Sequence, residues 1–284
     1  MKNFNFSLFL SLFFLIILLP ESVDAKRINK KVDEQGVDMP KVRIASFKGD
    51  KACAISYTFD DALRDQSILA APMLEKYGFR GTFWAIPSMV PETEEILTNS
   101  KKKWGGITWK RLKEMSDNGH EISNHGWSHK NLVNLKSEQE IRAEIEKADS
   151  LILLKIGKKP RTFCYPYNAF NDQVLAIAME NRVDTRTRCS GWGYRTTTQW
   201  MNNWADGLIK KGEWGIPMIH AIIDGFDAFP SADVLDNHMA YVKSKEDRIW
   251  VGTFLEIASY VKESENVCLS VTPRKNGLIC KTEM

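Results

Sequence analysis

Two adjacent aspartates, Asp60 and Asp61, stand directly after an apolar run at residues 52–59. Neighbouring carboxylates repel each other, so this pair at the end of a strand is costly unless a cation or a shared proton relieves the repulsion. Aspartate also starts turns and caps helices, and a helical pattern follows this pair. The pair alone therefore fits either a polar turn or a functional carboxylate pair.

The histidines favour the functional interpretation. His125 and His129 are four residues apart after a short strand pattern, and His220 closes a later one. A spacing of four places both imidazoles on one side of a turn, as a bound cation requires. The sequence has no HExxH pattern, so the usual metalloprotease arrangement is missing. Two imidazoles and one carboxylate predict a catalytic site for a divalent ion, most simply zinc, with cobalt or nickel as alternatives. Only one aspartate need bind the ion, and the other can then act as a base.

The surrounding elements explain how such distant residues could meet. Strand and helix patterns alternate seven times, which predicts an α/β fold with a parallel barrel or a doubly wound sheet. Reactive groups in such folds lie at the carboxyl ends of strands. Residues 52–59 alternate small or polar with large apolar side chains, so they predict one half-buried strand. Residues 183–187 predict a weak strand, and Ser137 to Glu140 predicts a capping box for a long helix.

The two ends of the chain differ from its middle. Residues 1–25 contain Lys2 and an almost wholly apolar run from Leu8 to Leu19, which predict a cleavable signal peptide and a secreted or periplasmic protein. We expect an N-terminal tail at 26–44, a catalytic domain at 45–264 and a β extension at 265–284. Two strand patterns around Asn276-Gly277 predict a hairpin in this extension. No later stretch is apolar enough to span a bilayer.

The composition of the chain limits the kinds of partner and metal site that it can have. The chain has 39 Lys and Arg against 36 Asp and Glu, and this small, evenly spread excess gives no indication of nucleic-acid binding. Five cysteines without a CxxC pair argue against a thiolate zinc site, although one or two disulfides fit the expected compartment. Among the remaining histidines, His120 and His238 are interpreted as structural, and Trp200 and Trp204, one helical turn apart, as core residues.

Four ordered motifs resemble those of a known family. They are Thr58-Phe59-Asp60-Asp61, Asn124-His125-Gly126-Trp127-Ser128-His129, Tyr165-Pro166-Tyr167 and Met218-Ile219-His220. In order and spacing they resemble the polysaccharide deacetylase family (the NodB-like deacetylases, carbohydrate esterase family 4) over roughly residues 50–262. The resemblance implies a deformed (β/α)7 barrel, here followed by the short C-terminal hairpin, that removes acetyl groups from an acetylated glycan.

The resemblance also implies a role for each motif residue. Asp60 would be the general base, and the metal would be held by Asp61, His125 and His129. The backbone N–H of Tyr167 would stabilise the oxyanion, and His220 would protonate the leaving group. The substrate pocket would be lined by Pro166, Trp192, which resembles the aromatic wall of the acetyl pocket, and Met218, which stands where the family usually has Leu.

Some positions depart from the family pattern. Cys164 stands where many members carry an Arg that pairs with the base, and Asn168 replaces the usual Gly. Gly is also common at the position of Ala62, and Ser or Thr at that of Gly126. The sequence shows no clear acidic partner for His220, and the three aspartates considered for it are Asp184, Asp206 and Asp224.

Three functions remain open at this point. The first is N-deacetylation of a glycan such as chitin-like oligomers, peptidoglycan or exopolysaccharide. The second is O-deacetylation of a plant polysaccharide such as acetylated xylan, because the motifs do not separate amides from esters. The third is a non-catalytic carbohydrate-binding protein that retains the fold, which the missing Arg and the Asn168 substitution favour.

Overall fold

The computed structural model of the chain describes residues 42–93, 106–274 and 277–283. The predicted signal peptide at 1–25 and most of the predicted tail at 26–44 lie outside these ranges. Within these ranges no helix is long and apolar enough to cross a membrane.

Short strands separated by helices make up the described chain. The strands are β1 (Cys53–Ile55), β2 (Thr58–Phe59), β3 (Thr82–Ala85), β4 (Glu121–Asn124), β5 (Thr162–Cys164), β6 (Asp184–Arg186), β7 (Ser190–Trp192), β8 (Trp214–Gly215), β9 (Pro217–Ile219), β10 (Ile249–Val251), β11 (Cys268–Arg274) and β12 (Gly277–Glu283). The α-helices are α1 (Ala71–Lys76), α2 (Trp109–Asp117), α3 (Glu138–Ile156), α4 (Asp172–Met179), α5 (Thr198–Lys211), α6 (Ala232–Lys243) and α7 (Phe254–Asn266).

Parallel pairing dominates the fold. Seven strands form one sheet in the order β6-β5-β4-β3-β2-β9-β7, and every neighbouring pair in it is parallel. A smaller parallel sheet has the order β10-β1-β8. In the described ranges no pairing joins β6 to β7, so the large sheet is a curled half-barrel with helices packed around it. The predicted α/β class and deformed barrel are therefore confirmed.

The first predicted strand is wrong in two respects. It is interrupted at Ser56 and Tyr57, so that β1 joins the small sheet and β2 the large one. It is also buried on both faces, since every residue from Cys53 to Asp60 is buried. Parallel sheets in α/β proteins are covered on both sides, which removes the one-sided exposure that the alternating pattern predicted.

Most helix starts follow the sequence signals. Thr108 and Asn171, residue types that N-cap positions favour, cap α2 and α4 through their side chains. Ser137 accepts the N–H of Glu140 at the start of α3, but the Glu140 carboxylate accepts the N–H of Lys136 instead of closing a capping box. The reciprocal box occurs at α7.

The predicted C-terminal hairpin is present. Its strands β11 and β12 pair antiparallel from Cys268↔Glu283 to Arg274↔Gly277. This register places Cys280 opposite Val271 rather than opposite Cys268. All five cysteines carry free thiols, so the structure contains none of the disulfides that the sequence allowed.

Candidate metal centre and active site

The motif residues meet at one edge of the large sheet. Asp60 and Asp61 follow β2, and His220 follows the neighbouring strand β9. The β2–β9 register pairs Phe59 with Ile219, and the N–H of Asp60 donates to the carbonyl oxygen of Ile219 at 2.9 Å. Parallel pairing therefore brings Asp60 next to His220, although 160 positions in the numbering separate them.

Three side chains converge as a cation site requires. Asp61 Oδ1 lies 3.5 Å from His125 Nε2 and 3.4 Å from His129 Nε2. The ligand atoms of these three residues all lie within 4.8 Å of one another. Asp61 Oδ1 is buried without a hydrogen-bond partner, which is costly unless a cation satisfies it. One oxygen and two imidazole nitrogens suit a divalent transition metal, so the donor set fits the predicted ion.

His125 is held in the orientation that a metal ligand needs. Its Nδ1 lies 2.9 Å from the carbonyl oxygen of Cys164, to which a protonated Nδ1 donates. Its other nitrogen, Nε2, is thereby left free to face Asp61. The ring is buried, whereas that of His129 is partly accessible and packs at 4.7 Å against the ring of Tyr167.

Buried side chains fix the backbone of the segment that carries His125 and His129. Asn124 Oδ1 accepts the N–H of Gly126 at 2.7 Å, and its Nδ2 donates to Asp149 and to the carbonyl oxygen of Ile145. Glu144 accepts both the N–H and the hydroxyl of Ser128 at 2.9 Å. Because these partners lie on α3, the helix anchors the segment that carries both histidines.

Asp60 has an arginine partner that the sequence interpretation missed. The two terminal nitrogens of Arg186 lie 2.7 and 2.5 Å from Asp60 Oδ1 and Oδ2, and one of them also donates to the hydroxyl of Thr58 at 2.8 Å. Both charged side chains are almost fully buried. Burial alone would raise the pKa of Asp60, but the guanidinium of Arg186 and then His125 outweigh it and hold that pKa below its ordinary value.

Arg186 supplies the charge that Cys164 cannot. The β5–β6 register pairs Cys164 directly with Arg186, so the guanidinium reaches the aspartate from the next strand. The Cys164 thiol is buried and lies 3.8 Å from Asp60 Oδ2. The available signal was an arginine inside the predicted strand at 183–187, whose register the sequence does not reveal.

A second group of ligand-type side chains, Asp60, His125 and Cys164, also lies within 4.8 Å. Here the carboxylate is already engaged by the bidentate Arg186, whose positive charge would repel a cation. This group therefore does not suit a metal, and it leaves Asp60 beside the triad rather than in it.

Several residues at this edge adopt left-handed backbone conformations that L-residues rarely occupy. They are Asp61 (φ 72°), Ala62 (φ 52°), His129 (φ 59°), Tyr167 (φ 60°) and Asn168 (φ 52°). Ala62 and Asn168 stand where the family commonly has Gly, which adopts this conformation without strain. Such strain concentrates at functional sites, and here it occurs in three of the four motif segments.

The predicted substrate-binding residues differ in accessibility. Pro166 is buried, Met218 is partly exposed, and Tyr167 exposes 66% of its surface. Trp192 is fully buried: its ring packs against Tyr57 at 6.2 Å as well as against other core aromatic rings, and Nε1 donates to Ser190. The structure therefore does not place Trp192 on an accessible pocket wall, because the close fit of α5 and α6 covers it.

His220 has a different environment from the one expected. Its imidazole packs edge-on against Phe226 at 5.0 Å. Of the candidate carboxylates, Asp184 accepts the N–H of Thr185 and Asp206 accepts the hydroxyl of Tyr241, so these two are engaged elsewhere. The histidines interpreted as structural, His120 and His238, are both buried.

Known proteins are similar to this chain in sequence and in fold. Residues 48–185 match the family described as "Polysaccharide deacetylase". The chain is 32% identical over 123 residues to chitin deacetylase 1 of Cryptococcus neoformans var. grubii, a match that covers 43% of this chain and 23% of that protein. It spans between 12% and 42% of the length of the curated relatives it matches.

Two solved structures share the fold. The Xyl-CE4 domain of a multidomain xylanase from the hindgut metagenome of Trinervitermes trinervoides is 20% identical, covers 76% of this chain and 92% of that domain, and has a TM-score of 0.54. A family 4 acetyl xylan esterase from Clostridium thermocellum, in complex with a cobalt ion, is 20% identical over 72% of this chain and 89% of that one, with a TM-score of 0.50. The match over residues 48–185 confirms the resemblance to the polysaccharide deacetylase family, carbohydrate esterase family 4, that the motifs predicted.

Proposed function

We propose that this protein is a divalent-metal-dependent hydrolase that removes acetyl groups from carbohydrate by N-deacetylation of a polysaccharide or oligosaccharide. The observation that carries the proposal is the partnerless Asp61 Oδ1 between two imidazole nitrogens, with a second, arginine-paired carboxylate beside it. A cluster with only a structural role would not need these two features together: the carboxylate of Asp61, which lacks a hydrogen-bond donor, and the neighbouring carboxylate of Asp60, which Arg186 keeps ionised.

Asp61, His125 and His129 would hold the metal, and zinc is the ion that we expect. When bound, a divalent cation supplies Lewis-acid polarisation of the acetyl carbonyl and lowers the pKa of water in the site. The hydrogen bond from His125 Nδ1 to Cys164 fixes the tautomer that this arrangement requires.

Asp60 would act as the general base. The Arg186 guanidinium keeps its carboxylate ionised and fixes its orientation through two hydrogen bonds, so a lone pair can be presented to the attacking water. A positioned acid or base typically contributes about 10²–10⁴-fold to the rate. Because Arg186 lowers the pKa of Asp60, the carboxylate is in the deprotonated form that a base needs in order to accept a proton.

Tyr167 and His220 would complete the reaction. The backbone N–H of Tyr167 would donate to the developing oxyanion, and one such donor is worth roughly 3–4 kcal/mol. His220 would give a proton to the departing nitrogen. The left-handed conformation of Tyr167, at φ 60°, gives its peptide an orientation that an ordinary strand end would not.

The relatives support N-deacetylation over the alternatives. The 32% identical relative is by name a chitin deacetylase, whereas likeness to the xylanase domain and to the acetyl xylan esterase, both at 20% identity, concerns the fold. The non-catalytic alternative drew its support from the missing Arg and from Asn168. Arg186 now occupies that role, and Asn168 Oδ1 lies 3.3 Å from it. We also propose a secreted or periplasmic enzyme whose catalytic domain spans 45–264.

The test is acetate release across a panel of N-acetylglucosamine oligomers, peptidoglycan and acetylated xylan. We expect activity on an N-acetylated member, loss of activity after dialysis against a chelator, and recovery on addition of zinc or cobalt. Activity that survives complete metal removal would contradict the site assignment, and release from acetylated xylan alone would favour the esterase alternative.

A further inference from the structure

The segment that carries His220 is held from inside the fold by two residues that belong to none of the motifs. We call residues 220–229 the His220 loop. Asp65 Oδ2 accepts three consecutive backbone N–H groups of this loop, those of Ile222, Ile223 and Asp224, at 2.6, 2.9 and 3.1 Å. The Asp65 side chain is buried, so these hydrogen bonds form away from water.

Gln66 joins the loop to the strand that carries Asp60. Its Nε2 donates to the carbonyl oxygen of Asp60 and to that of His220, both at 2.6 Å. A primary amide nitrogen has two donor hydrogens, so this single group uses both of them to bridge the two residues. Gln66 is fully buried.

Asp65 and Gln66 also lie at the start of a turn with an uncommon backbone conformation. Gln66 begins a π-helical turn, Gln66–Ala70, and Asp65 is its N-cap. Single π-turns inside helices are uncommon and occur frequently at functional sites. Here the turn begins six residues after Asp60, so the segment that supplies the proposed base also supplies the anchor for the loop that carries the proposed acid.

The outer part of the loop has fewer anchors. Ile223 and Phe226 expose 54% and 55% of their surfaces. Asp227 Oδ1 accepts the N–H of Tyr194, and the N–H of Phe229 donates back to Ile222. These exposed apolar side chains contribute little burial energy, so the loop is positioned by its inner hydrogen bonds together with the buried side chains of Ile222 and Phe229.

We propose that Asp65 and Gln66 are positioning residues that fix the His220 loop relative to Asp60, so that acid and base face the same reacting carbonyl. This inference rests on the proposed function, in which His220 protonates the leaving group. Neither residue touches substrate. Their removal would let His220 move away from the leaving atom while Asp60, held by Arg186, stays in place.

The experiment compares two substrates that differ in their need for an acid. The leaving group of an aryl acetate is a phenolate, which is stable without a proton. The leaving group of an N-acetylglucosamine oligomer is an amine, which must be protonated as it departs. In the full chain, Gln66→Met should lower kcat on the oligomer by about 10²-fold or more and kcat on the aryl acetate by less than about fivefold. His220→Ala should show the same selectivity. Ser67→Ala, which removes a hydroxyl bonded to Arg64 on the same turn, should change neither activity.

A second variant covers the case in which Gln66→Met does not fold. Asp65→Asn keeps the shape of the side chain but removes its charge, and it should speed the amide hydrogen exchange of residues 222–224 while metal content stays unchanged. Equal losses on both substrates, or unchanged exchange, would overturn the inference while leaving the proposed function intact. If His220→Ala itself loses both activities equally, the acid role is wrong, and the inference fails with it.

Discussion

Replacement of Arg186 is the sharpest test of how this site works. Arg186→Met keeps an unbranched apolar stem of similar length but removes the guanidinium that holds Asp60 at 2.5 and 2.7 Å. A hydrogen bond to a charged group is worth about 1.5–3 kcal/mol. Loss of two such bonds therefore removes about 3–6 kcal/mol of the interaction that positions Asp60, which corresponds to a fall in kcat of roughly 10²–10⁴-fold.

The pH profile provides a second measurement on the same variant. In the intact protein the guanidinium outweighs burial and holds the pKa of Asp60 low. Without it burial dominates, so the pKa of Asp60 rises and the acidic limb of kcat/KM against pH moves to higher pH. Acetate release measured from acid to neutral pH tests this direction. Metal content should stay unchanged, because Arg186 does not contact the triad.

The control exploits the direct pairing of Cys164 with Arg186. Neighbouring strands lie about 4.8 Å apart, and Cys164 Sγ is already 3.8 Å from Asp60, so an arginine at 164 can reach the same carboxylate. Arg186→Cys combined with Cys164→Arg should recover about tenfold over Arg186→Cys alone, the equivalent of one restored charge-assisted bond. An Arg186→Met variant within threefold of the parent, with an unmoved pH profile, would refute the reasoning.

Three further outcomes follow from the same geometry. Asp60→Asn should retain metal, measured by elemental analysis, yet lose nearly all acetate release; an active variant would exclude Asp60 as the base. His129→Ala should lower metal content and acetate release together, because it removes one of three ligands, and normal metal content would contradict its place in the triad. Burial lowers the pKa of His238 to about 3, so the unfolded state, with a histidine pKa of about 6.5, binds more protons below neutral pH, and the unfolding free energy should fall by about 2.5 kcal/mol between about pH 7 and about pH 4.5. Urea unfolding at about pH 7 and about pH 4.5 tests this, and His238→Phe should show a smaller difference.

The fold was predictable where long elements carry a clear period. The helix α3, with its apolar stripe and its Ser137 cap, matches the pattern closely. The strands were harder, because β7 and β8 have only three and two residues and so show no periodicity. The interruption at Ser56 and Tyr57 was also hidden, because both residues are buried and the chain continues in the same direction through two sheets.

The candidate site could be predicted where a residue's type and its place in a motif are enough to indicate its role. The types and spacing of His125 and His129 indicated a metal site, the family resemblance singled out Asp61 as the third ligand, and the structure brings the three together. Trp192 shows the opposite outcome, since the resemblance implied a pocket wall but its packing against α5 buries it. Burial depends on how helices cover a strand, and a motif does not encode that.

Arg186 shows why one departure from a family pattern does not decide a function. A guanidinium can reach Asp60 from any strand whose carboxyl end faces it, and β5 and β6 are parallel neighbours that present paired residues to the same side of the sheet. What the chemistry needs is a positive charge in bidentate contact with the carboxylate, not an arginine at a given position in the chain. The interpretation of Cys164 as a missing partner for Asp60 fails, because the sheet register supplies that partner from 22 positions further along the chain.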